Sequence, residues 1–286
     1  MAQLALPLVA AVMYGLRART LSRRGTPVPP WRIAAFVGAL VLFATALSPP
    51  LEDRAEELFA FHMIQHVLLG DLAPLLFVLG LTGPLLRPLL ALRPVAALKV
   101  LAHPLVALPL WTLNLYLWHV PYLYEGAVRN DALHALEHLS FFTAGALMWA
   151  AVIEVLPGPA WFGTAAKLGY IVVVRLLETV LGNVFIWSSS VFYPWYERNL
   201  PKWGITAVHD QNLAGVVMMA EGSLVTLGAL AWLFLRLAAE GELRQELIEQ
   251  GLDPAVVARA VRFGRAHALE GPSPAGEGTP GAPLNP

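Results

Sequence analysis

Two pairs of histidines stand four residues apart in this chain, His62/His66 and His134/His138. Residues at i and i+4 share one face of a helix, so each pair presents two imidazoles toward one point. Two such helices facing each other make a cage for a metal ion, or supply axial ligands to haem iron. His103, His119, His209 and His267 complete the set of 8 histidines. The sequence holds no cysteine, which excludes disulfides, thiolate metal sites, CxxC redox chemistry and a cysteine nucleophile. Metal chemistry must therefore use His, Met or carboxylate.

The elements that position these rings are apolar. Of 286 residues, 57% are hydrophobic and 14% charged, against roughly 25% charged in an average soluble domain. The formal net charge of −1 leaves no surplus of positive charge for phosphates, so nucleic acid is not an expected partner. Seven apolar stretches can be laid out, at about 2–16, 33–50, 58–80, 100–120, 133–156, 168–190 and 208–237, most of them long enough to span a bilayer. The first is short and lacks the basic start and small-residue cleavage site of a signal peptide. It reads as a short helix, with the true start of the chain left open.

Most of the 19 basic residues fall on one side of this layout: Arg17 to Arg32 after the first stretch, Arg87, Arg93 and Lys99, Lys167, and Arg236 to Arg265 at the end. The opposite side holds Arg54, Arg129, Arg198 and Lys202. The positive-inside rule then places the N-terminus outside and the C-terminus in the cytoplasm, as seven crossings require. The expected fold is all-α: a polytopic membrane bundle of seven transmembrane helices over residues 1–237. A cytoplasmic amphipathic helical segment follows at 238–266, in which Asp253–Pro254 offers a helix start. A Gly/Pro-rich stretch at 267–286 reads as a disordered tail. Pro74, Pro104 and Pro109 interrupt two spans and predict kinks.

On this topology His62, His66, His119, His134, His138 and His209 lie in the outer leaflet, while His103 and His267 fall on the cytoplasmic side. Gln65, Glu125, Asp131, Glu137 and Asp210 stand near enough to orient imidazoles by accepting a ring N–H. Asp210 is the stronger candidate, because Glu137 follows directly before His138 and so points about 100° away from it. Met63 and Met218 have two readings, core packing and thioether ligation. Deeper in the membrane, Asp71, Arg175 and Glu178 should share one depth and form a buried ion network, with Glu221 near the midplane. That network reads either as an internal ion pair or as a proton or ion pathway.

Three segments carry a family resemblance: FHMIQH (Phe61 to His66), the run WTLNLYLWHVPYLYEGAVRNDALHALEHLSFFTAGALMW (Trp111 to Trp149), and DQNLAG (Asp210 to Gly215). Across roughly residues 30 to 235 the chain resembles the CtaG proteins of the caa3-type cytochrome c oxidase assembly class. These integral membrane proteins are distinct from the single-span copper chaperone of the same name. The chain departs from the family's pattern after Asp210–Gln211, where it reads AGVVMMAEG in place of a Gly pair and a Trp. The resemblance implies an assembly factor rather than an enzyme, acting in the plasma (cytoplasmic) membrane of a bacterium. Its partners would be the lipid bilayer, a haem-copper cytochrome c oxidase subunit and a periplasmic copper donor protein, with a homodimer open. A histidine cluster suits copper, which stands highest in the Irving–Williams order. A transfer protein is expected to hold Cu(I) through two or three imidazoles, with His62, His66, His134 and His138 as ligands and His119 and His209 completing a second position or a transfer step.

Haem or zinc are the alternative cofactors. A haem-binding membrane protein is one rival reading, and a di-metal membrane enzyme another, although no HExxH motif occurs. A transporter using Asp71, Arg175, Glu178 and Glu221, and a purely structural seven-helix protein, complete the set. No P-loop is present to couple nucleotide energy. The aromatic residues of the outer 191–207 segment read as interface anchors or as a partner contact.

Overall fold

A computed structural model describes residues 2–92, 99–156, 158–266 and 269. Arg93, His267 and, apart from Leu269, the whole of the expected tail at 267–286 lie outside the described residues. Among the described residues the chain is helical, with no strand. The described helices of eight or more residues are α1 (Ala2–Arg23), α2 (Pro30–Ala46), α3 (Pro49–Glu57), α4 (Phe59–Gly80), α5 (Gly83–Leu90), α6 (Pro104–Trp118), α7 (Pro121–Val128), α8 (Asp131–Ile153), α9 (Thr164–Trp187), α10 (Ala207–Glu249) and α11 (Pro254–Arg262). The chain divides into two compact units, Met1–Ala231 and Trp232–Pro286.

Helices α4, α8 and α9 of the first unit, and α10, which begins in it, are long and apolar enough to cross a membrane, and α2 with α3 makes a fifth span if the pair, bent by 49°, counts as one. The fourth apolar stretch forms a short 3-10 turn (Lys99–Ala102) and then α6, an apolar helix of 15 residues. The first stretch is the opening part of α1. Leucines and valines point outward along these helices, among them Leu105, Leu113, Leu176, Val180 and Leu224. So much exposed apolar surface fits lipid contact and not water.

Prolines and short polar caps set the helix starts. Pro30, Pro49, Pro104 and Pro121 each occupy a first-turn position, where a missing N–H has no cost. Asn130 begins α8 by accepting from the Leu133 N–H at 3.0 Å. His103 begins α6, its Nδ1 accepting from the Leu105 N–H at 3.3 Å, so this histidine is a helix cap, with the Trp161 ring 6.2 Å away.

Helix α4 is not uniform. Residues Leu68–Leu72 form a π turn, immediately before Pro74. Proline has no N–H to give to the Gly70 carbonyl one turn back, so the ladder must loosen there. A Cβ placed on Gly145 of α8 would collide with that same Gly70 oxygen, so glycine is what lets α8 lie against the π turn. A second close approach joins α9 and α10, where a Cβ on Gly215 would meet the Gly182 carbonyl and the Ile186 nitrogen. Small residues at helix contacts are the usual means by which membrane helices approach closely.

In the second unit, Asp253 accepts from the Ala255 and Val256 N–H groups at 2.8 and 3.0 Å, ahead of Pro254 at the start of α11. Gly251 adopts φ 87°, a left-handed conformation natural to glycine just past a helix end. Val257 and Val261 pack with Leu247 and Ala266 into a small apolar cluster.

Candidate metal centre

Helices α4 and α8 bring the two histidine pairs face to face. The ring centroids of His62 and His66 are 4.3 Å apart, those of His134 and His138 are 4.1 Å apart, and across the helices His62 stacks on His134 at 5.2 Å. His66 lies 5.6 Å from His138. His62, His66, His134 and Glu137 each offer a ligand atom, all within 4.8 Å of one another. An ion bound through bonds of about 2 Å holds its donors about 3 to 4 Å apart, so small side-chain rotations would close this group on a metal.

The donors are buried and idle. His62, His66, His138 and Glu137 are almost wholly inaccessible. His62 Nε2, His134 Nε2, both ring nitrogens of His66 and of His138, and both Glu137 oxygens have no hydrogen-bond partner. His66 Nε2 stands 3.6 Å from Glu137 Oε1, too long for a hydrogen bond. Buried polar atoms are ordinarily paired, and so many orphans converging on one point is the arrangement a cation would satisfy. His119, at the end of α6, stands beside them, its ring 6.3 Å from His66. Its Nδ1–H donates to the Leu115 carbonyl at 2.7 Å, because a carbonyl can only accept. That bond fixes the tautomer and leaves Nε2 as a free, buried lone pair.

Glu137 enters by a route that its neighbour His138 conceals. It stands three residues after His134, and i, i+3 residues share a face as i, i+4 residues do. His209 is exposed and makes no ring contact with the cluster. Asp210 orients no imidazole: its two oxygens accept from the Phe59 and Ala60 N–H groups at 2.8 and 3.0 Å, capping α4 from across the fold. Gln65 turns away from the rings and donates to the Ala46 carbonyl at 2.8 Å. Glu125 accepts from Arg129 and from the Trp195 N–H and belongs to the outer loops. Met63 and Met218 are buried in the core cluster around Phe59 and Tyr124.

The positioning machinery includes two residues that spacing could not reveal. Gln211 accepts from the Phe192 N–H and donates to the Ser190 carbonyl at 2.9 and 3.0 Å. Asn212 donates to the Phe185 and Ile186 carbonyls, both at 2.9 Å, at the C-terminal end of α9. With Asp210 they tie α4, α9 and the loop between α9 and α10 to one turn of α10. That loop covers the rings. Tyr193 donates to the His119 carbonyl at 2.8 Å, and the hydroxyls of Tyr196 and Tyr124 meet at 2.7 Å above His62. Burial pushes the Tyr124, Tyr193 and Tyr196 hydroxyls well above the usual phenol range. The loop's tyrosines are thus inner lid residues, and the half-buried Trp195 packs against the same core with the Arg198 guanidinium over its ring at 3.5 Å.

The deep polar residues divide. Arg175 Nη1 binds Glu178 Oε2 at 3.0 Å, and Nη2 donates to the Met219 carbonyl and to Ser223 Oγ at 3.0 and 2.8 Å. A Cβ on Gly222 would collide with both members of the pair, so this glycine makes their room. Asp71 takes a different partner, accepting from Trp149 Nε1.

A buried donor group set between helices of a polytopic bundle defines a multi-pass membrane protein with a candidate metal site. The chain belongs to the family described as Cytochrome c oxidase caa3 assembly factor (Caa3_CtaG), which matches residues 12–240. It is also similar to the uncharacterized proteins Mb0105 of Mycobacterium bovis and MT0111 of Mycobacterium tuberculosis, each 26% identical over 227 residues, covering 72% of this chain and 34% of the relative. The uncharacterized protein ML1998 of Mycobacterium leprae is 23% identical over 222 residues, covering 71% of this chain and 33% of its own. The chain therefore spans about a third of the length of the curated relatives it matches. No solved structure gives a significant match. The family and these relatives make the chain a multi-pass membrane protein of bacterial type, in a family that serves cytochrome c oxidase assembly.

Proposed function

We propose that this chain binds copper, as Cu(I), at the outer group and passes it to a haem-copper oxidase subunit during assembly of that enzyme. The carrying observation is the set of buried, unpartnered donors on His62, His66, His134 and Glu137, gathered within 4.8 Å. His138 and His119 stand next to them and supply alternative ligands, which suits a cargo that must leave as well as arrive. Imidazole donors accept copper readily, and the family's role in oxidase assembly makes copper the cargo of choice. The 5.2 Å between the stacked His62 and His134 rings across the helices favours a small ion over a haem, whose porphyrin would have to stand between its axial rings.

In this reading seven helices cross the cytoplasmic membrane within residues 1–237, the N-terminus lies outside, residues 238–266 form a cytoplasmic helical segment, and the histidines lie on the side of a periplasmic copper donor, beneath the tyrosine lid. Asp210, Gln211 and Asn212 hold the helix ends in register, and Tyr124 and Tyr196 close the group from above. The test is elemental analysis, with an optical spectrum, of the detergent-purified full chain loaded with Cu(I) under reducing conditions. At least one copper per wild-type chain, with loss of the outer-group copper in a His66→Ala/His134→Ala variant, is the expected result. A Soret band without copper, or the absence of both, overturns the proposal.

A further inference from the structure

The outer group is not sealed from below. A cavity of about 60 Å³ reaches from His66 and His119 to Asp71, Glu178 and Glu221, with Met218 on its wall. That volume admits a few waters, or one ion with part of its hydration shell. Three carboxyl groups line it, and no Lys or Arg does so among the described residues. Arg175 is already committed to Glu178, to the Met219 carbonyl and to Ser223. Asp71 and Glu221 are thus left without a cation: they stand close enough to share a proton with each other, and the buried Glu221 oxygens have no other hydrogen-bond partner. Carboxyl groups in a membrane interior are costly unless a positive charge or a proton compensates them.

Two further observations point to an ion. His119, 7% exposed, has an unpartnered Nε2 and lines this cavity. His66 belongs to the outer donor group and to the cavity wall at once, so the same ring serves both compartments. Asp71 stands in the π turn of α4, a local distortion often found where a helix serves a site.

We infer that the cavity holds a second, inner cation position, formed by Asp71 and Glu221 with His119 at its outer end, which receives the metal from the outer group through His66. The inference rests on the copper reading of the outer group. It gives the cargo an exit toward the membrane interior instead of back to water. Soft and hard donors meet here: thioether and imidazole suit Cu(I), and carboxylates balance its charge.

The experiment titrates Cu(I) into the detergent-purified full chain and counts metal per chain by elemental analysis. The wild type should take up two equivalents, and an Asp71→Asn/Glu221→Gln variant one. X-ray absorption on the doubly loaded wild type gives a reading that does not depend on any variant folding: a sulfur scatterer, which Met218 on the cavity wall supplies and the outer donors lack, must accompany the nitrogen and oxygen shell. A single equivalent in the wild type, unchanged in the variant, overturns the inner position while leaving the outer reading intact. Two equivalents with no sulfur scatterer overturn it also. No copper at all in the wild type overturns the outer reading itself.

Discussion

The Arg175 pair and the outer histidine group are both polar clusters inside one apolar bundle, and they are built in opposite ways. The Arg175 guanidinium is met by Glu178, by the Met219 carbonyl and by Ser223. Around His62, His66, His134, His138 and Glu137, buried nitrogens and oxygens face one another without a bond. A polar group buried unsatisfied costs about 1–3 kcal/mol, so the outer cluster weakens the fold that carries it. The first arrangement stabilises helix packing, whereas the second is a strained resting state that binding would relieve. The difference separates polar residues kept for folding from those kept for function, although composition alone treats both as charged or polar intrusions in a span.

The largest effect is expected where satisfaction is complete. Arg175→Met leaves Glu178 buried beside an apolar side chain, and breaking a buried pair from one side costs about 3–5 kcal/mol. Yield and the thermal midpoint in detergent should fall sharply, while copper per folded chain stays at the wild-type value. Normal yield and midpoint with altered copper content would break the comparison, by showing that Arg175 serves the metal and not the fold.

An intermediate effect belongs to the link between the two regions. Asp210→Ala removes the acceptor for the Phe59 and Ala60 N–H groups at the start of α4, and loss of a helix cap costs about 1–2 kcal/mol. Because α4 carries His62 and His66, copper should bind more weakly at unchanged stoichiometry, and Asp210→Asn, which keeps one acceptor oxygen, should recover part of the loss. Unchanged midpoint and affinity in Asp210→Ala would show that the cap positions nothing.

What the sequence discloses follows from what a helix repeats. The i, i+4 histidine pairs, the Asp253–Pro254 start of α11 and the interruption at Pro74 are local, and each rests on spacing or on one residue's backbone chemistry. Position along a span is also readable, and Asp71 and Glu178 do line one cavity. Azimuth is not: nothing in the spacing tells Asp71 to face Trp149 on α8 while Arg175 faces α10. Asp210 lies 150 residues from Ala60, and its geometry resembles that of a ligand-orienting carboxylate until α4 is seen to begin beneath it. Glu137 was legible through its i+3 relation to His134. Its adjacency to His138 suggests instead that it points elsewhere.

The smallest effect sharpens the boundary of the outer group. Tyr124 and Tyr196 share one hydrogen bond at 2.7 Å above His62, so if they are lid and not ligand, their hydroxyls should couple to each other and not to copper. Tyr124→Phe should cost about 1 kcal/mol, and Tyr124→Phe/Tyr196→Phe should cost less than the two single changes added together, since the second loses a partner already gone. Copper content should not change in any of the three variants. The pH dependence has a definite sign. Burial holds both phenols protonated in the folded chain well beyond their ordinary range, whereas in the unfolded chain they ionise near about pH 10. Above that pH the unfolded state binds fewer protons than the folded one, so stability declines as pH rises. The wild type should therefore lose stability in alkali more steeply than the double phenylalanine variant. Equal slopes, or copper lost with either hydroxyl, would move the tyrosines out of the lid and into the donor set.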